Sequence, residues 1–257
     1  MCYNVQRIID GKANTVKTPG EKQMYSFKSR VRYSETGEDG ILSLSSAVHY
    51  MQDCSTFQSE ELGVGVEAMK QMGRAWFLSA WQIEIRRRPK LMEEITIGTW
   101  ASGFKAMYGY RNFVIKDPAG DDLVRAASTW VYMNVETGRP ERVTEEVVAV
   151  YGKEPPLSME EVGRKIRIPE ELTEYPAFSV RRSQIDTNGH VNNAKYVEMA
   201  EEWLPEPNGI RKLRVAYRHA AKYGDRIVPA AYHGADRHMV VLEGTKGQVY
   251  AVVEARP

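Results

Sequence analysis

The sequence is poor in cysteine, in net charge and in long apolar runs. It has two cysteines, Cys2 and Cys54, in 257 residues, too few and too far apart for the disulfide framework of a small secreted domain. Its 35 basic and 34 acidic residues nearly cancel, so no overall field would attract nucleic acid or anionic lipid. Charged residues interrupt every run before the roughly 18 apolar residues of a membrane span. We therefore expect a cytoplasmic protein with no nucleic-acid or membrane partner.

Several motifs of cofactor and metal chemistry are also missing. The chain has no Gly-x-Ser-x-Gly elbow, no Walker loop and no dinucleotide-binding fingerprint, which argues against serine-ester and nucleotide chemistry. The histidines do not form a metal-ligand spacing with cysteines or carboxylates. Cys54 falls on an apolar helical stripe, where an inert buried thiol is expected. We predict no cofactor and no metal.

The hydrophobic pattern predicts one long helix followed by strands. Residues 1–24 show no sustained period and are interpreted as an N-terminal arm. From Leu42 to Leu62 apolar residues recur at three- and four-residue intervals, which predicts an amphipathic helix ended by Gly63. Strand-like runs rich in Ile, Val, Thr, Trp and Tyr follow at Trp76–Arg86, Glu94–Ser102, Tyr108–Lys116 and Leu123–Asn134. A helix followed by an antiparallel meander is an α+β pattern.

The C-terminal part of the chain repeats this order. Residues 152–174 carry three prolines and many charges, which predicts a linker. Beyond the linker, Ser183–Gly189 resembles Ser34–Gly40 at a constant separation of 149 residues, and each segment precedes a helical pattern. The second helix is predicted to be shorter, from Asn193 to about Leu204. We interpret the pattern as a tandem duplication.

The segment 186–193 (DTNGHVNN) concentrates groups that can do chemistry. It directly precedes a helical pattern, and backbone N–H groups at a helix N-terminus can hold an oxyanion. Asn188 could position a water or a carbonyl group, His190 could exchange a proton near neutral pH, and Asp186 could orient either group or act as base. The alternative is structural, because Asp, Asn and Gly also form turns and helix caps.

The pattern Asp-x-Asn-x-His-Val-Asn-Asn-x-Lys-Tyr at 186–196 resembles the signature of acyl-acyl-carrier-protein (acyl-ACP) thioesterases of the plant and bacterial type. The likeness runs from about Tyr25 to the C-terminus. It includes 76–89 (WFLSAWQIEIRRRP), 94–100 (EITIGTW) and 137–140 (TGRP). That family has two hot-dog domains in one chain, and in each an antiparallel sheet wraps around a long helix.

The resemblance implies a fold, a reaction and a site. The expected fold is α+β with two tandem hot-dog domains, the first at 25–151 with the acyl-chain pocket and the second at 175–257 with the catalytic loop. The expected reaction is hydrolysis of a fatty acyl-ACP thioester to free fatty acid and carrier protein. Asp186, Asn188 and His190 take the family's catalytic positions. The alternatives are an acyl-CoA thioesterase of other acyl specificity and a non-catalytic acyl-binding protein.

One position departs from the family pattern. The family usually has a glutamate in a segment Tyr-x-x-Glu-x-x-x-Gly-Asp, and residues 217–225 place Ala220 there. Because alanine cannot activate water, Asp186 or His190 serves as base, or His219 substitutes in part, or the chain has another role.

The acyl chain and its carrier need further surfaces. By the same resemblance the first domain forms an apolar tunnel, although each candidate lining residue, taken alone, is more typical of an ordinary core position. The candidates are Val48, Met51, Phe57, Met69, Trp76 and Leu78. The basic run 86–90 (RRRPK) could attract an acidic carrier protein or a coenzyme A phosphate, or could be a solvated strand end. Two fused domains already supply the pairing that single hot-dog chains obtain by dimerising. The sequence therefore does not decide the oligomeric state, and a homodimer is possible.

Overall fold

Twelve β-strands and four α-helices form in the residues that the structure describes, a computed structural model covering 24–160, 162–163, 165–205 and 209–257. The arm predicted at 1–24 lies outside these residues except for Met24. No helix in this part of the chain is long and apolar enough to cross a membrane.

The first half contains the long helix and the longest strands. Its elements are β1 (Tyr25–Arg30), α1 (Leu44–Glu61), α2 (Val66–Gln71), β2 (Arg74–Ile85), β3 (Glu94–Lys105), β4 (Tyr108–Lys116), β5 (Asp122–Asn134), β6 (Arg139–Pro140) and α3 (Glu145–Tyr151). Helix α1 begins where the Ser43 hydroxyl accepts the Ser46 N–H at 3.0 Å. It ends before Gly63, whose φ of 75° suits glycine. The predicted helix is confirmed, with bounds that differ by at most two residues.

The second half repeats these elements in shorter form. They are β7 (Thr173–Glu174), β8 (Phe178–Ser179), α4 (Asn193–Glu201), β9 (Lys212–Tyr217), β10 (Arg226–His233), β11 (His238–Gly244) and β12 (Val249–Arg256). Helix α4 has nine residues against 18 in α1. It begins at Asn193, as predicted, because the Asn192 side chain caps it by accepting the Ala194 N–H at 2.9 Å.

The described strands join one antiparallel sheet in the order β1-β3-β4-β5-β2-β9-β12-β11-β10-β7, with β6 on β5 and β8 on β10. The two halves meet where β2 pairs with β9, from Ala80 opposite Ala216 to Glu84 opposite Lys212. Outward from this junction the order is β5, β4 and β3 in the first half and β12, β11 and β10 in the second. At the far ends β1 pairs with β3, and β8 pairs with β10. The two halves are therefore related by a local twofold axis between β2 and β9.

The loops before the two helices also correspond. Short 3-10 turns at Tyr33–Glu35 and Arg182–Gln184 precede them. Gly40 and Gly189 both adopt positive φ, at 68° and 75°. All of these positions are separated by 149 residues, which agrees with the predicted duplication.

Glu201 joins the two helices across the local twofold axis. Its carboxylate accepts the Leu44 N–H at 2.8 Å and the Ser45 N–H at 3.2 Å, so the end of α4 caps the start of α1. Unpaired N–H groups and the helix dipole favour an anion at that place. Burial nevertheless raises the pKa of Glu201 above its ordinary value, because desolvation disfavours the charged form. Both helices lie over a core that contains residues of both halves.

The predicted linker at 152–174 crosses the other face of the sheet, in the order of the strands. Its backbone bonds in turn to side chains of β3, β4, β5, β2 and β9. These bonds join Trp100 to Pro155, Asn112 to Leu157, Arg125 to Ser158, Gln82 to Glu160 and Arg214 to Gly163. Ile166 then packs on Met239, Val241 and Val252, which alternate with residues of the main core and so face away from it. The linker is thus a packed layer.

We expect the Glu201 cap to stabilise the fold in a pH-dependent way. Glu201→Ala leaves two N–H groups without their acceptor and should lower the free energy of unfolding by about 2 kcal/mol. Glu198→Ala, an exposed control on the same helix, should change it by less than about 0.5 kcal/mol.

The pH dependence follows from the raised pKa of Glu201. Because ionisation is harder in the folded state, the stability of the wild type relative to Glu201→Gln should be greatest below the ordinary glutamate pKa and fall as pH rises through the raised value. Urea denaturation of both proteins between about pH 4 and pH 8, a range that begins near the ordinary carboxyl pKa, measures the difference in their free energies of unfolding. A wild-type advantage that grows as pH rises would contradict the prediction.

Candidate active site

Asp186 organises the loop at 186–193 through its side chain. Its Oδ1 accepts the Asn188 N–H at 2.8 Å and the His190 N–H at 3.4 Å, and its own N–H donates to the His190 carbonyl at 2.8 Å. Gly189 completes the turn with a φ of 75°, which costs a residue with a Cβ about 1 kcal/mol or more. The carboxylate therefore fixes the backbone from 186 to 190.

The loop leads into the N-terminus of α4. Ile185 and Val191 form a bridge across its base, and the Val191 N–H donates to the Ala221 carbonyl at 2.9 Å. Both ends of the loop are thus held by backbone hydrogen bonds. Asn192 accepts the Ala194 and Lys195 N–H groups, so the Asn193 N–H and the positive end of the α4 dipole remain at the helix start. A developing negative charge would be stabilised there.

A cavity of about 800 Å³ lies between α1, α2 and the sheet of the first half and reaches this loop. Loop and helix residues from the second half line one side: Asp186, Thr187, Asn188, Asn192 and Asn193. The first half supplies an aromatic wall of Trp76, Phe104, Tyr110, Trp130 and Tyr151. The Trp76 ring centre lies 6.3 Å from that of Phe104 and 6.5 Å from that of Tyr151. The cavity therefore joins an apolar wall of one half to the polar loop of the other.

Arg111 is a buried cation in the wall of this cavity. Its guanidinium donates to Gln58 Oε1 and to Thr99 Oγ1, and its Cζ lies 5.2 Å from the centre of the Tyr151 ring. Burial lowers the pKa of Arg111 below its ordinary value. Neutral hydrogen-bond acceptors and an aromatic face therefore stabilise this charge inside the protein.

Four of the residues predicted for the site line the cavity: Asp186, Asn188, Met69 and Trp76. His190 is not among the described residues of the lining. Its side chain is partly buried, and its Nδ1 is buried without a hydrogen-bond partner in the described chain. The backbone of His190 is nevertheless fixed by Asp186.

The remaining predicted lining residues lie elsewhere in the structure. Val48 and Met51 are 0% exposed and Leu78 is 6% exposed, all within the main core. Phe57 is 44% exposed, and its ring packs edge-on against Phe27 at 5.3 Å. A role for these four residues in acyl binding stays a prediction.

Several residues that line the cavity were not predicted from the sequence. Thr144, followed by two glutamates, is a helix-start signal; its Oγ1 accepts the Val147 N–H at 3.4 Å. The resulting helix α3 brings Tyr151 to the cavity. Gln52 and Arg111 have no such signal in the sequence, because polar residues do not contribute to the apolar pattern that predicted the other lining residues.

Ala220, at the position of the family glutamate, is exposed on the chain after β9. The neighbouring His219 is also exposed, and its Nδ1 lies 2.8 Å from the Val249 carbonyl. Neither residue is among the described residues that line the cavity. Of the sequence candidates for a base, Asp186 lines the cavity and His190 belongs to the same loop.

Part of the basic run 86–90 is used inside the fold. Arg87 makes two hydrogen bonds to Glu93, at 2.8 and 2.7 Å. Arg88 is buried and donates to the Leu42 carbonyl at 2.9 Å. Arg86 and Lys90 remain exposed, so the run offers less positive surface than its sequence suggests.

Comparison with known proteins identifies the family. The family model of the acyl-ACP thioesterase N-terminal domain matches residues 22–151, and that of the acyl-ACP thioesterase C-terminal domain matches residues 169–254. The chain belongs to the acyl-ACP thioesterase family. It is 27% identical to a chloroplastic oleoyl-acyl carrier protein thioesterase of Coriandrum sativum, in an alignment covering 90% of this chain and 69% of that one.

Two solved structures share the fold. An acyl-ACP thioesterase from Bacteroides thetaiotaomicron aligns with a TM-score of 0.82 and 21% identity, over 91% of this chain and 97% of its own. A 12:0-ACP thioesterase from Umbellularia californica aligns with a TM-score of 0.80 and 18% identity, over 92% of this chain and 97% of its own. The predicted α+β fold of two tandem hot-dog domains is thereby confirmed.

We expect Gly189→Ala and Gly40→Ala to have equal effects on stability and different effects on turnover. Each forces a Cβ into positive φ with no other atom within 4 Å, so each should lower the free energy of unfolding by about 1 kcal/mol. Gly189 alone shapes the loop beside the cavity, so only Gly189→Ala should lower kcat for thioester hydrolysis, by about tenfold. Urea denaturation and steady-state kinetics test this; an equal loss of kcat in Gly40→Ala would refute it.

Proposed function

We propose that this protein hydrolyses fatty acyl-ACP thioesters to free fatty acid and acyl carrier protein, as a step of fatty acid synthesis. Membership of the acyl-ACP thioesterase family supports the reaction. The observation that carries the proposal is the position of residues 186–193, which meet an aromatic-walled cavity of about 800 Å³ at a helix N-terminus. An acyl chain fits the aromatic wall, and its reacting carbonyl fits the polar loop.

In the proposed mechanism water attacks the thioester carbonyl beside the start of α4. Asn188 and His190 hold the water, and one of its protons passes to the His190 imidazole as the new C–O bond forms. The carbonyl electron pair moves to oxygen, and the Asn193 N–H and the positive end of the α4 dipole stabilise the oxyanion. Collapse of the intermediate breaks the C–S bond, and the leaving thiolate takes the proton from His190.

Asp186 acts in this mechanism by holding the loop. Its Oδ1 is hydrogen-bonded to the N–H groups of Asn188 and His190, so a change at Asp186 moves both residues. No metal or cofactor is required, since a thioester is already activated toward attack. Asp186, Asn188 and His190 together form the proposed catalytic set.

A second candidate function is acyl binding without turnover. It is favoured by Ala220, an exposed residue without an ionisable group at the position where the family usually has a glutamate. Hydrolysis of acyl-CoA in place of acyl-ACP is a variant of the first proposal.

We propose the cytoplasm as the compartment. Cys54 is buried and unpaired, which fits a reducing environment. Both sides of the cavity come from residues of one chain, so a homodimer would add a surface and leave the proposed chemistry unchanged.

A panel of acyl-ACP and acyl-CoA thioesters of different chain lengths tests the function by release of free thiol. We expect turnover of acyl-ACP, and a fall in kcat of about 100-fold or more in His190→Ala and in Asp186→Ala. Ala220→Glu, assayed alongside, should raise kcat if the missing carboxylate limits the rate. Wild-type protein that binds acyl chains and releases no thiol would select the binding function, and full activity in both alanine variants would remove the site assignment.

Gly109 should control the length of acyl chain that the cavity accepts. A Cβ at Gly109 would lie 3.0 Å from two atoms of the Trp76 ring, so Gly109→Ala should push the indole into the cavity. We expect kcat/KM for the longest accepted chain to fall about tenfold, with short chains little affected. Gly103→Ala is the control, because its Cβ would meet its nearest atom, on Tyr110, at 3.7 Å. Equal losses at all chain lengths would contradict the prediction.

A further inference from the structure

The two helix starts related by the local twofold axis differ in the side chain that faces them. At the start of α1, Glu201 accepts hydrogen bonds from Leu44 N and Ser45 N. The carboxylate occupies the place where an anion would otherwise bind. The corresponding loop, 37–40, has no histidine, since Ile41 stands at the position equivalent to His190.

The equivalent of Glu201 in the first half is Gln52. The constant separation of 149 residues relates 201 to 52, and it relates Leu44 and Ser45 to Asn193 and Ala194 at the start of α4. Gln52 lies on α1 and lines the same cavity as Asn192 and Asn193. By the local symmetry, Gln52 is related to the start of α4 as Glu201 is related to the start of α1.

The Gln52 side chain also has hydrogen-bonding capacity that no described residue uses. Its Oε1 is buried and has no hydrogen-bond partner among the described residues. A buried polar atom left unpaired costs about 1–3 kcal/mol, and such atoms in native proteins call for an explanation. A small polar ligand in the cavity would supply the missing partner.

The change from carboxylate to amide has a direct chemical consequence. A carboxylate at position 52 would be drawn to the N–H groups of α4, as Glu201 is to those of α1. A neutral amide is held there less strongly. Because the Asn192 side chain already accepts the Ala194 N–H, the group left for a substrate oxygen is the Asn193 N–H, the equivalent of the Leu44 N–H. The amide oxygen still accepts a hydrogen bond from water.

We propose that Gln52 is a catalytic residue that holds the attacking water. This inference rests on the proposed thioesterase function. Gln52 Oε1 accepts one O–H of the water and orients its lone pair toward the thioester carbonyl at the start of α4. The other water proton passes to His190, and the O–H held by Gln52 stays with the new carboxylic acid. The first half thus supplies a reacting group as well as the acyl pocket.

The test compares Gln52→Met with Glu201→Gln, the substitution at the equivalent position of the other half. Gln52→Met keeps the length of the side chain and removes its acceptor. We expect kcat for acyl-ACP hydrolysis to fall about 100-fold with KM changed less than about twofold, since the water is met only in the chemical step. Glu201→Gln should leave kcat and KM unchanged, whatever its effect on stability. Asp53→Asn, exposed and adjacent on α1, is a second control.

Measurements of folding and of kinetics distinguish a misfolded variant from one that has lost catalysis. Melting temperatures and circular dichroism report folding, and Gln52→Ala replaces Gln52→Met should the latter fold poorly. A kcat within about twofold of wild type in the folded variant, or a loss confined to KM, would overturn the assignment while leaving the thioesterase function intact. Wild-type protein that releases no thiol would overturn the function and this inference together.

Discussion

The pairing of β2 with β9 is the constraint on which the rest of the structure depends. These strands join the two halves edge to edge, from Ala80 opposite Ala216 to Glu84 opposite Lys212. Because the register is fixed there, the local twofold axis is fixed too, and it places each helix start against the other half. The loop at 186–193 meets the first-half cavity for this reason. A slip of one residue would turn every side chain of β9 to the opposite face.

The duplication gives two equivalent helix starts, those of α1 and α4, and the two halves differ around them. The first half kept an 18-residue helix and an aromatic cavity, and the second half has a nine-residue helix. The loop with His190 faces the cavity, whereas the loop with Ile41 precedes a helix start that Glu201 already occupies. In the proposed mechanism the start of α4 serves the reaction, whereas the start of α1 joins the two halves through Glu201. The linker that crosses the sheet then holds this arrangement from the opposite face.

Local pattern was enough to predict much of the fold, and it singled out the 186–193 loop, which lies beside the cavity. The apolar period predicted α1, a run rich in strand-forming residues predicted β4 with its observed bounds, and the separation of 149 residues predicted the duplication. The lining of the cavity was harder, because it depends on which strands become neighbours. Val48 and Met51 share the helical stripe that the sequence marks, and both lie in the core. Arg111 and Tyr151 come together from a strand and a distant short helix, a pairing with no local signature.

The unpaired polar atoms explain why this region could not be optimised for stability alone. Buried Oε1 of Gln52, Nε1 of Trp76 and Nδ1 of His190 lack hydrogen-bond partners in the described chain. Two of these residues line the cavity and the third belongs to the loop beside it. Apolar replacements would remove about 1–3 kcal/mol of desolvation cost at each atom. Trp81, Arg125 and Glu154 also have buried side-chain atoms without a hydrogen-bond partner in the described chain, outside the lining of the cavity. What sets Gln52, Trp76 and His190 apart is their common position at or beside the cavity, where a polar reactant of the proposed reaction would supply the missing partner.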